Sequence, residues 1–244
     1  MMDLVASLPA LLISDFAGTA MREEGAVLAA YRHALRTHDI PFDEADLAAR
    51  RGASKRAVFE ELAARRFAPG EVRARAAEAL ATFEAALRRE YQSGEVREVE
   101  GATAAFERLR QAGIKLALAS GFERELVSLL LDRLGWVSFF DAVVAAGDVP
   151  AGRPAPYLIY RAMMETGTHD VGRVAVVGDT PLDLEAGTNA RAGWVIGVLS
   201  GAHGLATLGT TRHTHLLPSV AQLPELFGLS RAADRHAPDP RQEP

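Results

Sequence analysis

The chain has 244 residues, 48% hydrophobic and 24% charged, the proportions of a folded globular protein and not of a disordered or collagen-like one. Asp plus Glu number 32 against 27 Lys plus Arg, a formal charge of −5 with no basic stripe, which argues against nucleic acid as a partner. Cysteine is absent, so disulfides, thiolate metal sites and a thiol nucleophile are excluded.

Met1 to Ala10 carries Asp3 and lacks both a positive start and an apolar signal core, so the expected location is the cytoplasm. The first apolar run, Ala10 to Ile13, reads as a buried strand leading into Ser14-Asp15-Phe16-Ala17-Gly18-Thr19. From Ala20 to about Glu98 the strand signal gives way to helical spacing, as at Leu28, Tyr31 and Leu35, then Val72, Ala76, Leu80, Phe83, Leu87 and Tyr91. Breaks near Pro41, Gly52 and Ala68-Pro69-Gly70 divide this stretch into four or five helices, a small bundle expected to cap the sheet.

Beyond it, strands at Leu116–Ala119, Ala142–Ala145, Val174–Val177 and Trp194–Val198 alternate with helices at Thr103–Gln111, Glu123–Leu134, Tyr157–Glu165 and Pro181–Arg191. This βαβα order predicts an α/β fold with a doubly wound parallel sheet and an inserted α-helical cap. The expected division is a core of residues 1–19 and 99–229, a cap of residues 20–98, and a tail of residues 230–244 that frays. The uncharged stretch Ala192–Thr211 holds five glycines and several hydroxyls, which makes it strand and loop and not a membrane span.

Parallel sheets bind ligands beyond the C-terminal ends of their strands, so the residues at those tips carry the chemistry. Asp15 stands at the first tip as a nucleophile, over a Gly turn (Ala17, Gly18, Thr19) whose backbone N–H groups can cradle an anion. Asp179 stands at the fourth tip with Asp183 one helical turn on, an oxygen donor set that suits Mg²⁺. Ser120-Gly121 offers a hydroxyl and an N–H, and Arg153 in Gly152-Arg153-Pro154 a fixed cation, for a phosphate group. Lys115, at a strand start, and the His213-Thr214-His215 pair read as structural.

Asp15 to Thr19, Ser120, Arg153 and Gly178 to Asp183, in this order, resemble the four motifs of the haloacid dehalogenase superfamily of phosphotransferases. The resemblance implies that Asp15 attacks phosphorus to form an aspartyl-phosphate. It further implies that Asp15, the Ala17 carbonyl and Asp179 bind Mg²⁺ with Asp183 in support, and that Ser120 and Arg153 hold phosphate oxygens. Two departures are informative: the superfamily's phosphatases carry a second Asp where this chain has Ala17, and a Lys where it has Arg153. That Asp protonates a leaving alkoxide, a contribution of typically ~10²–10⁴-fold, so ordinary ester hydrolysis is handicapped here.

Asp-x-Ala-Gly-Thr at Asp15 to Thr19, with Gly-Arg-Pro-x-Pro-Tyr at Gly152 to Tyr157, resembles phosphonatase and its phosphonatase-like relatives, which break carbon–phosphorus bonds. A carbanion leaves only with an electron sink, and a protonated imine between a carbonyl and a lysine supplies one. Arg51-Gly52-Ala53-Ser54-Lys55 matches that family's cap motif Gly-x-x-Lys, in a chain with 25 arginines and only two lysines. Arg51, Arg56 and desolvation are expected to push the Lys55 amine down toward its neutral form.

Phe122 stands where phosphonatase has Tyr, Val58 where it has His, and Arg51 where it has Met, so the substrate need not be the same. Arg51 is expected to meet an extra anionic or polar substituent. The reading is a Mg²⁺-dependent hydrolase of a 2-oxoalkylphosphonate. The alternatives are a phosphomonoesterase of the same superfamily, in which Lys55 only binds charge, and a non-catalytic module of the same fold. A dehalogenase would leave Asp179 and Asp183 without purpose. The resemblance also implies a homodimer paired through the caps.

Overall fold

Strand β1 (Leu11–Asp15) is buried at every position, as a strand covered by helices on both faces must be. In the computed structural model, which describes residues 8–229, it lies near the centre of a six-stranded parallel sheet of order β3-β2-β1-β4-β5-β6. The other strands are β2 (Lys115–Ala119), β3 (Ala142–Val144), β4 (Val174–Gly178), β5 (Trp194–Val198) and β6 (His215–Leu217). The N-terminal residues 1–7 and the tail 230–244, on which the location and fraying expectations rest, lie outside the described residues.

Side chains alternate across the sheet, as a period of two requires. Leu12, Leu116, Leu118, Ala175 and Val177 join one core, and Leu11, Ile13, Ala117, Val174 and Val176 the other. The strand order reverses direction at β1, and this switch point opens a crevice at the C-terminal ends of β1 and β4. Register sets the chemistry: Asp15 pairs with Ala119 and Ser14 with Val177, so Asp15 ends its strand level with the start of the loops after β2 and β4.

Four helices follow β1: α1 (Ala26–Thr37), α2 (Glu44–Ala49), α3 (Lys55–Ala63) and α4 (Pro69–Ser93). Tyr31, Phe59 and Phe83 from α1, α3 and α4 form their centre, with ring centroids 4.6–5.7 Å apart. The chain leaves and re-enters the sheet region through one paired neck, where Arg22 N–H donates to Arg97 O (3.0 Å) and Val99 N–H to Ala20 O (2.8 Å). Then come α5 (Ala102–Gln111), α6 (Arg124–Arg133), α7 (Tyr157–Thr166), α8 (Pro181–Ala190) and the single turns α9 (Leu205–Leu208) and α10 (Leu223–Leu226).

The apolar runs predict five strands; β6 is the sixth. Its three half-buried residues are too few for a period-two signal, and it is recruited by pairing of Ile196 with His215 and of Val198 with Leu217. Thr214 N–H donates to Val195 O (2.7 Å), so the His213-Thr214-His215 segment serves the sheet edge. Lys115 opens β2, an interior strand, and its Nζ donates to Thr166 O. Among the described residues no helix is long and apolar enough to cross a membrane.

Candidate active site

Three strand-tip carboxylates converge. Asp15 ends β1, Asp179 follows the last residue of β4, and Asp183 lies in the first turn of α8; oxygens of all three lie within 4.8 Å of one another. Asp183 is fixed by the start of its own helix. Thr180 is the N-cap, its N–H and hydroxyl donating to Asp183 Oδ2 at 3.0 and 2.6 Å while Asp183 N–H donates back at 3.3 Å. Asp179 is held from both sides, accepting Thr19 Oγ1–H (3.0 Å) and Ala202 N–H (2.6 Å). Glycine is required on each flank, because a Cβ on Gly18 or Gly201 would lie 2.3 or 2.2 Å from Asp179 Oδ2.

The Arg153 guanidinium bridges two members of this cluster, reaching Asp15 Oδ1 and Asp183 Oδ1 at 2.7 Å each and donating to Ala119 O at 2.9 Å. Burial weighs against its charge, but Asp183 and Asp15 outweigh that and hold it firmly protonated. Three carboxylates against one guanidinium leave an excess of negative charge in a buried site. Burial accordingly pushes Asp15 up from the ordinary carboxylate range, Arg153 opposing and Asp183 adding to it. Asp179 is pushed up by burial and by its two acidic neighbours. A hard divalent cation among these oxygens would relieve the excess, and the all-oxygen donor set fits one.

Above the carboxylates lies a cavity of about 720 Å³, walled by the strand-tip loops below and by α1 and the Arg51–Lys55 segment above. It holds Asp15, Ser120, Arg153, Asp179 and Lys55 together. The Lys55 amine donates to Ala53 O (3.3 Å), lies 3.9 Å from where a Cβ on Gly121 would stand, and sits 5.9 and 5.8 Å from the Tyr31 and Phe122 rings. Burial and then Arg153 lower its pKa to about 8, against the opposing pull of Asp15. A phosphate-sized anion, a nucleophile and an amine poised near neutrality can therefore share one chamber.

Gly52 fixes how closely the upper wall meets the lower. Its φ of +83° favours glycine, and a Cβ there would lie 2.4 Å from Thr180 Oγ1. Gly52→Ala is expected to lift the loop that carries Lys55 and to lower kcat/KM by roughly 10²-fold, and its strained backbone to lower the unfolding temperature by a few degrees. Steady-state kinetics beside a thermal melt check this.

Most sequence-predicted site residues come together here. Ser120 is buried, its Oγ accepting Phe122 N–H at 3.1 Å, which leaves the hydroxyl proton free to donate. Ala17, Gly18, Gly52, Gly121 and Arg51 line the cavity. Two need correction. Gly18 is no free anion donor, since its N–H is used on Met21 O (2.7 Å); it matters by making room for Asp179. Thr19 is fully buried and turned onto Asp179, positioning that carboxylate and not a phosphate oxygen.

Sequence reading missed Glu23, Tyr31, Gly201 and Ala202, which all line the cavity. The Ser200-Gly201 pair after β5 carries the strand-tip signal that could have found it. Glu23 and Tyr31 carry none, because the folding of the helical insert alone brings them over the sheet. His203, beside the Asp179 backbone, buries an Nδ1 that has no partner among the described residues.

Comparisons with known proteins agree with this geometry. The family model of haloacid dehalogenase-like hydrolases matches residues 9–191. Phosphonoacetaldehyde hydrolase of Bacteroides fragilis is 32% identical over 123 residues, 50% of this chain and 46% of that protein, so the match spans about half the length of the relative. A hydrolase from Pseudomonas syringae superposes with a TM-score of 0.79 at 20% identity, over 91% of this chain and 100% of that one. A phosphonoacetaldehyde hydrolase-like protein from Oleispira antarctica gives a TM-score of 0.75 at 17% identity, over 93% and 96%. At these identities the two structures speak for the fold, and the family model, covering well over half of the sequence, speaks for the family. The chain belongs to the haloacid dehalogenase-like hydrolases.

Proposed function

We propose that this hydrolase cleaves the carbon–phosphorus bond of a 2-oxoalkylphosphonate, with Lys55 as the imine-forming amine and Asp15 as the nucleophile toward phosphorus. The observation that carries the reading is Lys55 itself: its amine lines the same cavity as Asp15, lies among Tyr31, Phe122 and Gly121, and has its pKa lowered to about 8. A protein that needed only a cation at this place has no use for an amine near neutrality, and of the chain's other 26 basic residues 25 are arginines. Ala17, where an acid would serve an ester's leaving group, supports the same reading.

In this scheme Lys55 condenses with the carbonyl carbon, Arg153 and Ser120 orient phosphoryl oxygens, and an Asp15 oxygen bonds to phosphorus as the carbon–phosphorus pair moves toward the imine nitrogen. Mg²⁺, held by Asp15, Asp179 and the Ala17 carbonyl with Asp183 in support, would screen the charge between Asp15 and an incoming anion. Residues 20–98 act as a cap that closes on a core of residues 1–19 and 99–229, with the paired neck as the place of bending. Arg51, whose guanidinium lies 3.8 Å from Glu23 and makes no side-chain hydrogen bond among the described residues, meets an anionic or polar substituent of the substrate.

Borohydride reduction in the presence of 2-oxoalkylphosphonates, followed by peptide mapping, tests the reading. The expected adduct is on Lys55. Turnover of phosphate monoesters with no trapped adduct would replace it with a phosphomonoesterase. Mg²⁺ is expected to raise the unfolding temperature as well. At a concentration 100-fold above its dissociation constant the gain is about 2.7 kcal/mol, or about 5–10 °C for a chain of this size. A melt with Mg²⁺ against one with chelator measures it.

A further inference from the structure

Imine chemistry moves protons as well as electron pairs. The neutral Lys55 amine adds to the carbonyl carbon, the C=O pair moves to oxygen, and one proton passes from nitrogen to that oxygen. A second proton lets the oxygen leave as water and gives the protonated imine. When Asp15 takes phosphorus, the carbon–phosphorus pair becomes the enamine double bond; that carbon then takes up a proton, and water hydrolyses the imine to the carbonyl product and free Lys55. A second water cleaves the aspartyl-phosphate to inorganic phosphate. Each step on the carbon side needs a nearby group that gives and takes a proton.

Few groups around Lys55 can do this. Arg153 is locked in its protonated form by Asp15 and Asp183, and Asp15 is committed to phosphorus. Asp179 and Asp183 are engaged by Thr19, Ala202 and Thr180. Ala17 and Val58 carry no exchangeable side-chain proton. The Tyr31 hydroxyl is buried without a partner among the described residues, and burial pushes its pKa far above the ordinary phenol value, which makes it a still weaker acid.

Glu23 remains. Its Oε1 accepts the N–H groups of Gly25 (2.9 Å) and Val27 (3.0 Å), which fixes the side chain at the start of α1. Its Oε2 is turned toward Arg51 at 3.8 Å, too far for a hydrogen bond, in the wall of the cavity that holds Lys55 and Asp15. The side chain is only 9% exposed, and its charge is felt at Lys55. Among the described residues no ion pair joins Glu23 to Lys55, so transfer runs through the substrate oxygen or a water. We infer that Glu23 is the proton-transfer group of the imine steps, serving first the substrate's carbonyl oxygen and then the carbon released from phosphorus. This rests on the function proposed above.

Glu23→Gln keeps an oxygen for Gly25 and Val27 and removes the transferable proton. The expected result is a fall in kcat of roughly 10²–10³-fold with KM little changed, a parallel fall in the rate at which borohydride traps the Lys55 adduct, and an unaltered melting temperature. Formate is expected to restore part of the activity of Glu23→Ala. Wild-type rates of turnover and trapping in Glu23→Gln overturn the inference and leave the imine reading standing. So does a loss that comes with a lower melting temperature and no rescue by formate, since Glu23 then only caps α1. If wild-type protein forms no Lys55 adduct with any 2-oxoalkylphosphonate, the proposed function falls and this assignment falls with it.

Discussion

Replacing Lys55 with arginine is expected to lower phosphate release from a 2-oxoalkylphosphonate by roughly 10⁴-fold or more, an increase of about 5.5 kcal/mol in the barrier. Arginine keeps the positive charge among Tyr31, Phe122 and Gly121, so the electrostatics of the cavity change little. What it removes is the neutral nitrogen nucleophile, because a guanidinium stays protonated throughout the accessible pH range. If position 55 only held charge, most of the activity would survive. The same residue sets a pH dependence: with its pKa lowered to about 8 by burial and by Arg153, the neutral amine gains tenfold per pH unit below that value and levels off above it. The rate of trapping with borohydride is expected to follow that curve. A rise continuing toward the ordinary lysine value would mean an amine that is not buried in the working enzyme.

Asp15→Asn is expected to have opposite effects on activity and stability. Without a carboxylate to accept phosphorus, turnover falls by roughly 10⁴-fold or more. The metal-free protein, by contrast, becomes more stable by about 1 kcal/mol at neutral pH, which is 2–4 °C for a chain of this size. The reason is that a charged Asp15 is costly to bury, and Asp183 adds to that cost. Asp15 and Asp179 are pushed up chiefly by burial, so the folded chain holds protons that the unfolded chain has already lost. The stability these groups contribute is full below the ordinary carboxylate pKa near 4 and is lost as pH climbs toward neutrality. Asparagine at position 15 still offers Arg153 an oxygen while removing one of the three charges. In chelator, the wild-type melting temperature should fall as pH rises from 5 to 8, and that of the variant should fall less. A variant that melts lower than wild type across this range would show that the Asp15–Arg153 pair outweighs the cost of burying the charge.

Much of this site is legible from local pattern because a parallel sheet converts sequence position into geometry. A short apolar run ending in Asp puts that carboxylate at the crevice, and Thr180-Pro181-Leu182-Asp183 caps its own helix whatever else the chain does. The α/β alternation, the helical stretch between β1 and β2, and the convergence of Asp15, Ser120, Arg153, Asp179 and Asp183 follow from such local rules. Lys55 was legible for another reason: it lies in a Gly-x-x-Lys motif and is chemically rare in this composition.

What local pattern does not contain is distance between elements. Nothing in Gly18 or Gly201 announces that both press against Asp179, and nothing in Thr19 says that its hydroxyl will point to a carboxylate 160 residues away and not into the cleft. Those contacts exist because β1, β4 and β5 are brought side by side by hydrogen bonds whose partners lie far apart in the chain. Strand β6 is created by its neighbour β5 and has no periodicity of its own. Glu23 and Tyr31 reach the cavity only because α1, α3 and α4 pack around Phe59 and Phe83 over a neck paired between residues 20–22 and 97–99. The sequence by itself determined the fold class and which residues stand at the strand tips, since both depend on residues within a turn or strand of each other. Only the tertiary structure decided which side chains are held, which are free and which share a wall with Lys55, since those depend on packing between segments that the chain order keeps apart.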